Sequence, residues 1–321
     1  MNKWKIGILG ASDIAYKRFL PALQKSRHFT FVGIASRNPE RCAPFIKCFG
    51  GQCYPDYDSL LLDAQIDCVY LPLPPARHAY WGEKVLAAGK HLLMEKPFTV
   101  LDADTKNLLS ISRQRGLAVY ENYMFLHHRQ LTEIKNIMAS ETLGSIRMIR
   151  TAFTFPFRGV QDFRYDSKLG GGALLDCGGY PLLLASELLG DSAQLQWSSL
   201  KYDDQYGVDT AGSAVLLNHA GLTAHVFFGM DDTYRCELEV WGSKASLTAS
   251  RIFTAPPDLP IILRLNGGNE ERSITITADD QFQNSIDAFA ALIERPALRR
   301  TYHDKILRQS ALIANIQNKG S

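Results

Sequence analysis

Five short apolar runs separated by helix-like stretches fill the first 120 residues, and this alternation constrains the fold more than any other feature. Lys5–Leu9, Phe31–Ala35, Cys68–Leu71, His91–Met94 and Leu117–Tyr120 have the length and apolar character of buried strands. Residues 14–25, 39–49, 56–63, 78–88 and 101–115 read as the helices between them. Strands alternating with helices are joined by crossovers, which lay the strands side by side in one parallel sheet with helices on both faces. After about Tyr123 the pattern changes. A helix over Leu131–Ser140 precedes "SIRMIRTAFTF", and beyond a glycine-rich run come "LTAHVFF", "CELEVWG", "IILRLN" and "SITITA". Their period of two marks a largely antiparallel sheet with one covered face. Helices over 281–293 and 304–318 end the chain.

With 321 residues, 46% of them hydrophobic, the chain can bury two cores. The expectation is an α/β protein with a parallel-sheet domain over residues 1–122. An α+β domain with a large, open, mostly antiparallel sheet then spans residues 123–321. Thirty-five Lys and Arg against 33 Asp and Glu leave a net charge of +2 without a long basic run, which speaks against nucleic acid as a partner. No stretch approaches the ~18 apolar residues of a membrane span, and "MNKWKIGILG" has too short an apolar run for a secretory signal. A cytoplasmic protein is expected. Cys42, Cys48, Cys53, Cys68, Cys177 and Cys236 form no CxxC pair, against both a zinc site and a disulfide framework.

"KIGILGASDIA" runs from a strand through a glycine turn into a helix, an arrangement that cradles a dinucleotide. Gly10 makes the tight turn, Ser12 stands where a second glycine would let the backbone near the pyrophosphate, and Ala15 permits close helix–strand packing. Serine serves there if its φ is negative. Gly10, Ala11, Ser12, Asp13 and Ile14 are therefore the candidate pyrophosphate contacts, at the positive end of the helix. At the end of the second strand an NAD site places an acid for the ribose hydroxyls, whereas "GIASRNPER" offers Ser36 and Arg37. That favours NADP(H) over NAD(H). Glu95 and Lys96, in "LLMEKPF", follow directly on a strand at the carboxyl edge of the sheet, where open α/β folds bind ligands. A lysine there can hold a substrate oxygen, tune a neighbour or relay a proton. In "GGGALLDCGGYP" Asp176 and Tyr180 are four apart and share a helix face, and Gly170–Gly172 lets backbone approach a ligand at that helix's start.

"GILGASDIA", "LLMEKPF" and "LGGGALLDCGGYP", in this order and spanning most of the chain, resemble the glucose-fructose oxidoreductase / inositol dehydrogenase (Gfo/Idh/MocA) family. The resemblance implies an N-terminal Rossmann domain and a C-terminal domain whose open sheet mediates a homodimer or homotetramer. It implies a catalytic role for Lys96, and for Asp176 and Tyr180 through the family's D-x-x-x-H/Y pattern. It also runs Leu71, Pro72, Leu73 and His78 under the nicotinamide ribose, although His78 serves equally as a helix-start cap. Tyrosine rather than histidine at position 180 resembles the NADP-linked branch. "ASDIAYKRFLPAL" and "ENYMFLHHRQL" look most like the NDP-ketosugar 3-ketoreductases, though the arginine that many members carry near Leu126 is absent. His128 and Gln130 are candidate substrate contacts; the adjacent histidines lack any matching carboxylate cluster, so no metal is expected.

The expected reaction is reduction of a sugar carbonyl by NADPH, on the C3 keto group of a nucleotide-linked deoxysugar. Tyr180 is the candidate general acid, made more acidic by Lys96, which holds the oxygen; Asp176 orients a substrate hydroxyl or Lys96. Lys96 as direct proton donor is a variant of equal standing. Oxidation of a free aldose or a dihydrodiol by NADP is the alternative chemistry, and a non-catalytic sugar sensor with bound NADP the alternative of another class.

Overall fold

The computed structural model describes residues 3–268 and 270–319. In the first half, β1 (Trp4–Leu9), α1 (Leu20–Gln24), β2 (Phe29–Ala35), α2 (Ala43–Phe49), β3 (Gln52–Tyr54) and α3 (Tyr57–Leu62) are followed by β4 (Cys68–Leu71), α4 (His78–Ala87), β5 (His91–Met94), α5 (Asp102–Arg115) and β6 (Val119–Glu121). The strands form one parallel sheet in the order β3-β2-β1-β4-β5-β6. Order reverses between β1 and β4, which makes the carboxyl ends of these two strands the switch point where such sheets bind ligands. Buried on both faces, the strands are near-continuous apolar runs: Ile6, Ile8, Leu9, Val69, Leu71, Leu92 and Met94 are all fully buried. Local signals agree with this plan. Asp56 accepts from the Ser59 amide at 2.6 Å to start α3, and α5 carries Asp102 and Asp104 in its first turn and ends on Gly116 at φ 65°.

The parallel sheet expected from the alternation is present, with one strand more than the five expected. β3 is three residues long, sits at an edge and exposes Gln52 and Cys53, so it lacks the apolar run by which a strand is recognised.

In the second half, α6 (Arg129–Ala139), β7 (Ile146–Thr154) and α7 (Gly179–Leu189) precede β8 (Gln194–Asp203), β9 (Val208–Leu217), β10 (Thr223–Gly229), β11 (Arg235–Gly242), β12 (Ser246–Ser250), β13 (Ile261–Gly267) and β14 (Glu270–Ile276); α8 (Gln281–Glu294) and α9 (Arg299–Lys319) complete the chain. The sheet order is β14-β13-β12-β11-β7-β10-β9-β8. Among the described residues only β7 and β10 pair in parallel; the other pairs are antiparallel. Ile149, Val226, Leu238, Val240, Leu247 and Leu263 are buried on one face, while Trp197, Phe227, Trp241 and Ile262 are exposed. α7 packs on the covered face and is buried from Gly179 to Ala185, while Ser186 and Glu187 near its end are half-buried, Glu187 pairing with Lys135 at 3.1 Å.

The chain divides into two compact units. One takes the described chain up to Tyr123 together with Phe282–Ser310; the other takes Met124–Gln281 and the chain from Ala311 onward. The single second domain expected over 123–321 is thus corrected, because α8 and the start of α9 build on the first unit. Phe289 stacks on Phe29 at 5.6 Å and Tyr302 on Tyr120 at 5.0 Å. Ser285 Oγ lies 2.7 Å from Asn122 Oδ1, and Arg299 Nη1 donates to Gly116 O at 2.6 Å. Among the described residues no helix is long and apolar enough to cross a membrane.

Candidate active site

At the first glycine turn the backbone does what the sequence pattern asks. Gly10 has φ +115°, a conformation that demands glycine, and a Cβ there would sit 2.6 Å from Leu73 Cδ2, so that side chain would have to move. Ser12 is different. Arg251 is the one non-glycine residue with positive φ among the described residues, so Ser12 has ordinary backbone and no need to be glycine. Its Oγ accepts from the Ala15 amide at 3.2 Å and its carbonyl from the Tyr16 amide at 3.1 Å; it caps the helix. The chain from Ala15 to Phe19 is wound as a π-helical turn before α1. As first-turn donors the amides of Asp13 and Ile14 have no intrahelical acceptor, the condition for holding an anion. Ala11 and Ala15 are buried beside them, while the exposed Asp13 carboxylate pairs with Lys17 at 2.7 Å. After β2, Ser36 is buried with its Oγ accepting from the Asn38 amide at 3.3 Å. Arg37 is exposed and the next acid is Glu40. A cation without a carboxylate suits a ribose 2′-phosphate and not a free diol.

The strand end that carries Lys96 is a buried polar cluster. Glu95 Oε1 accepts from Tyr70 Oη at 2.6 Å and from Asn122 Nδ2 at 2.7 Å, and burial pushes its carboxyl above the usual range. Glu121, at the end of β6, is 5% exposed and accepts from the Phe98 amide at 2.7 Å. Burial first, with repulsion from Glu95 added, pushes it up to about 8, against the attraction of Lys96. Lys96–Pro97 is a cis peptide. His78 is fully buried, with Nδ1 2.8 Å from Pro97 O and Nε2 2.8 Å from Leu73 O; burial holds its pKa below the ordinary value. Its ring therefore joins two loops, and it is the first residue of α4 without a side-chain cap. Leu71 and Pro72 are buried at the end of β4, and Leu73 covers Gly10.

In the second unit, residues Leu174–Gly178 form a π-helical turn that leads into α7, a departure from regular helix often found at functional sites. The glycines before it do not leave room for a ligand as expected. Gly172, at φ +113°, is held against the Asp209 carboxylate, which a Cβ would strike. Asp209 Oδ2 accepts from the Leu174 amide at 2.7 Å, so a side chain from β9 already fills the anion position at the helix start. Burial pushes Asp209 up to about 6. Asp176, 8% exposed, accepts from Arg164 Nε at 2.6 Å. Arg164 Nη1 also donates to Asp162 Oδ1 at 3.0 Å, and its guanidinium lies 4.6 Å from the Phe163 ring centroid. Neither Arg164 nor Asp209 was marked by the sequence. No spacing rule links them to Asp176 or Leu174 across intervening loops, although an arginine framed by aspartates in "QDFRYD" is a weak pointer. Tyr180 is 6% exposed, its Oη 3.9 Å from Met124 Sδ and its ring among Phe125, Phe153 and Phe253.

The two substrate candidates occupy structural positions. His128, 1% exposed, caps α6 by accepting from the Gln130 amide at 3.1 Å, and Gln130 is fully buried with Nε2 3.4 Å from Ile252 O. Among the described residues no group of three or more His, Cys, Asp or Glu is disposed to hold a metal ion.

Comparison with known proteins defines the class. Residues 4–123 match the family model described as an oxidoreductase family with an NAD-binding Rossmann fold, and residues 131–248 match the GFO/IDH/MocA C-terminal domain. The chain belongs to the GFO/IDH/MocA oxidoreductase family, as the motifs indicated. Among its relatives, the dTDP-3,4-didehydro-2,6-dideoxy-alpha-D-glucose 3-reductase of Streptomyces violaceoruber is 41% identical over 294 residues, covering 91% of this chain and 85% of that one. The solved structure of a 3-ketoreductase from Actinomadura kijaniata, in complex with NADP and TDP-benzene, is 35% identical and superposes with a TM-score of 0.96 over 99% of this chain and 98% of that one. A D-xylose 1-dehydrogenase (NADP(+)) of Haloferax volcanii is 31% identical over 90% of this chain and 88% of its own.

Proposed function

We propose that the protein is an NADPH-dependent ketoreductase that reduces the C3 keto group of a dTDP-linked dideoxysugar. What carries the reading is the 41% identity, across both units, to a 3-reductase of that substrate class. Gly10, Ala11, Ser12, Asp13 and Ile14 would hold the cofactor's pyrophosphate, and Ser36 with Arg37 its 2′-phosphate. Glu95 and the Leu71–Leu73 run would line its nicotinamide half. NADPH, when bound, supplies the hydride delivered to the carbonyl carbon. Lys96 and Tyr180 act on the carbonyl oxygen: the ammonium stabilises the negative charge that develops there, and the tyrosine hydroxyl gives up the proton. Asp176 would act through Arg164, whose guanidinium it orients.

The test follows NADPH consumption with freshly generated dTDP-ketosugars for wild type and Tyr180→Phe. If Tyr180 is the acid, turnover falls about 10²–10⁴-fold with NADPH binding retained; a loss of only a few-fold assigns the proton to Lys96. A second reading, oxidation of a free aldose by NADP, is favoured by the xylose dehydrogenase relative and would be seen as NADP reduction by free sugars. Binding of NADPH without turnover of any sugar would support a sensor. We assign the exposed sheet face with Trp197, Phe227, Trp241 and Ile262 to homo-oligomer contact, and place the enzyme, with its six free cysteines, in the cytoplasm.

A further inference from the structure

Three residues after the end of β5 the chain has left the sheet, and nothing in the ladder holds it there. The backbone beyond Lys96 is instead held by side chains. Pro97 O faces His78 Nδ1 at 2.8 Å, and the next backbone group along the chain, the Phe98 amide, donates to Glu121 Oε1 at 2.7 Å. The two anchors come from different elements, the first residue of α4 and the last of β6, and reach the segment from separate places in the first unit. Both are buried, His78 fully and Glu121 to within 5%. The Glu121 backbone is itself held by Tyr302 Oη, which donates to its carbonyl at 2.9 Å, and His78 Nε2 lies 2.8 Å from Leu73 O; a neutral ring carries a single N–H, which the clamp places on Nδ1 toward Pro97 O.

On this arrangement, and resting on the reductase reading, we propose that His78 and Glu121 are positioning residues that clamp the Pro97–Phe98 backbone and thereby fix the direction of Lys96. Burial of a histidine and a carboxylate is unfavourable unless each is hydrogen-bonded, and here the bonds converge on consecutive backbone groups next to the lysine. A reacting group displaced by about 1 Å loses on the order of 10²-fold in rate, so a clamp on its flanking backbone shows in turnover before it shows in binding. His78 then serves the cofactor pocket through backbone and not by presenting its ring.

The test exploits the two ring nitrogens. Asparagine can place an amide donor near the position of Nδ1, and glutamine near that of Nε2. His78→Asn keeps a donor for Pro97 O, and His78→Gln keeps one for Leu73 O alone. Likewise Glu121→Gln keeps an acceptor for the Phe98 amide, and Glu121→Leu does not. In the full-length enzyme, H78Q and E121L are expected to lose about 10- to 100-fold in kcat with NADPH Kd within about threefold. H78N and E121Q are expected to keep at least about a third of wild-type turnover. Equal kcat for H78N and H78Q, or wild-type kcat in E121L, overturns the clamp. Should E121L not fold, the His78 pair, polar in both members, decides alone.

Wild-type turnover of a ketosugar is the separate control for the reductase reading. If it is absent for every sugar, the clamp is read from the rate of Lys96 acylation, followed by peptide mass spectrometry. That rate should change at least about threefold in H78Q and E121L but not in H78N and E121Q; four equal rates overturn the proposal.

Discussion

Replacing His303 with leucine should stabilise the protein at neutral pH and remove part of its acid sensitivity. His303 lies in α9, is 3% exposed, and neither ring nitrogen has a hydrogen-bond partner among the described residues. Burial, reinforced by Arg113 and Arg299, lowers its pKa from 6.5 to about 4. The unfolded chain takes up this proton near pH 6.5, whereas the folded one resists it until about pH 4. Stability is therefore full above the unfolded value, falls as pH drops from about 6.5 to about 4, and levels off below, where both states are charged. Over that interval, at about 1.4 kcal/mol per pH unit, the loss is about 3.5 kcal/mol at most. Leucine, of similar size, removes two unpartnered polar atoms without breaking a bond, for a gain of about 1 kcal/mol or more near pH 7. Urea unfolding of both proteins near pH 7 and near pH 4.5 measures the two quantities. Equal losses between these pH values in wild type and His303→Leu, or destabilisation of the variant near neutrality, would refute the reasoning.

The remaining expectations concern the turn, the second unit and the cofactor. Gly10→Ala forces a side chain onto φ +115° and against Leu73, at about 1–3 kcal/mol for backbone strain alone. NADPH affinity by fluorescence titration should drop about tenfold or more, and adding Leu73→Ala should return the packing share but not the backbone share. Asp209, raised from 3.8 to about 6, burdens the fold when ionised, so its contribution makes the protein more stable as pH falls from about 6 to about 4. Asp209→Asn, which keeps an acceptor for the Leu174 amide, should flatten that portion of the pH–stability curve. Arg37→Ala should weaken NADPH binding about 10- to 100-fold while leaving NADH binding within about threefold; equal losses for both would show that Arg37 does not meet a 2′-phosphate.

The parts of the fold that could be read directly were those set by local periodicity. Lys5–Leu9, Cys68–Leu71 and His91–Met94 are continuous apolar runs because they are buried on both faces, and such runs announce a central parallel strand. Partner choice is another matter. Alternation in "IRMIRTAFT" and "LTAHVFF" shows two half-buried strands, but nothing in it says that β7 and β10 run parallel. The amphipathic pattern of α8 likewise does not name the surface it covers, so Phe289 could not be matched with Phe29 in advance. At the site, Gly10 and Lys96 were legible because a turn and a strand end impose local demands. Arg164, Asp209 and Glu121 were not, since each earns its place through a contact with a residue distant in sequence.

The return of α8 and early α9 to the first unit bears on how the chain is made. That unit begins at the amino terminus, yet Phe289, Ser285 and Tyr302 complete its packing, and its membership runs to Ser310. At about 5–20 residues per second, the ribosome needs about 10–40 s more to reach Ser310 after it has added Tyr123. During that interval Tyr120 and Asn122 wait without their partners from α8 and α9, and the whole second sheet is synthesised in the meantime. The first sheet thus has all its strands once Glu121 is made, before any strand of the second, yet its unit waits for the last of its packing partners until Ser310.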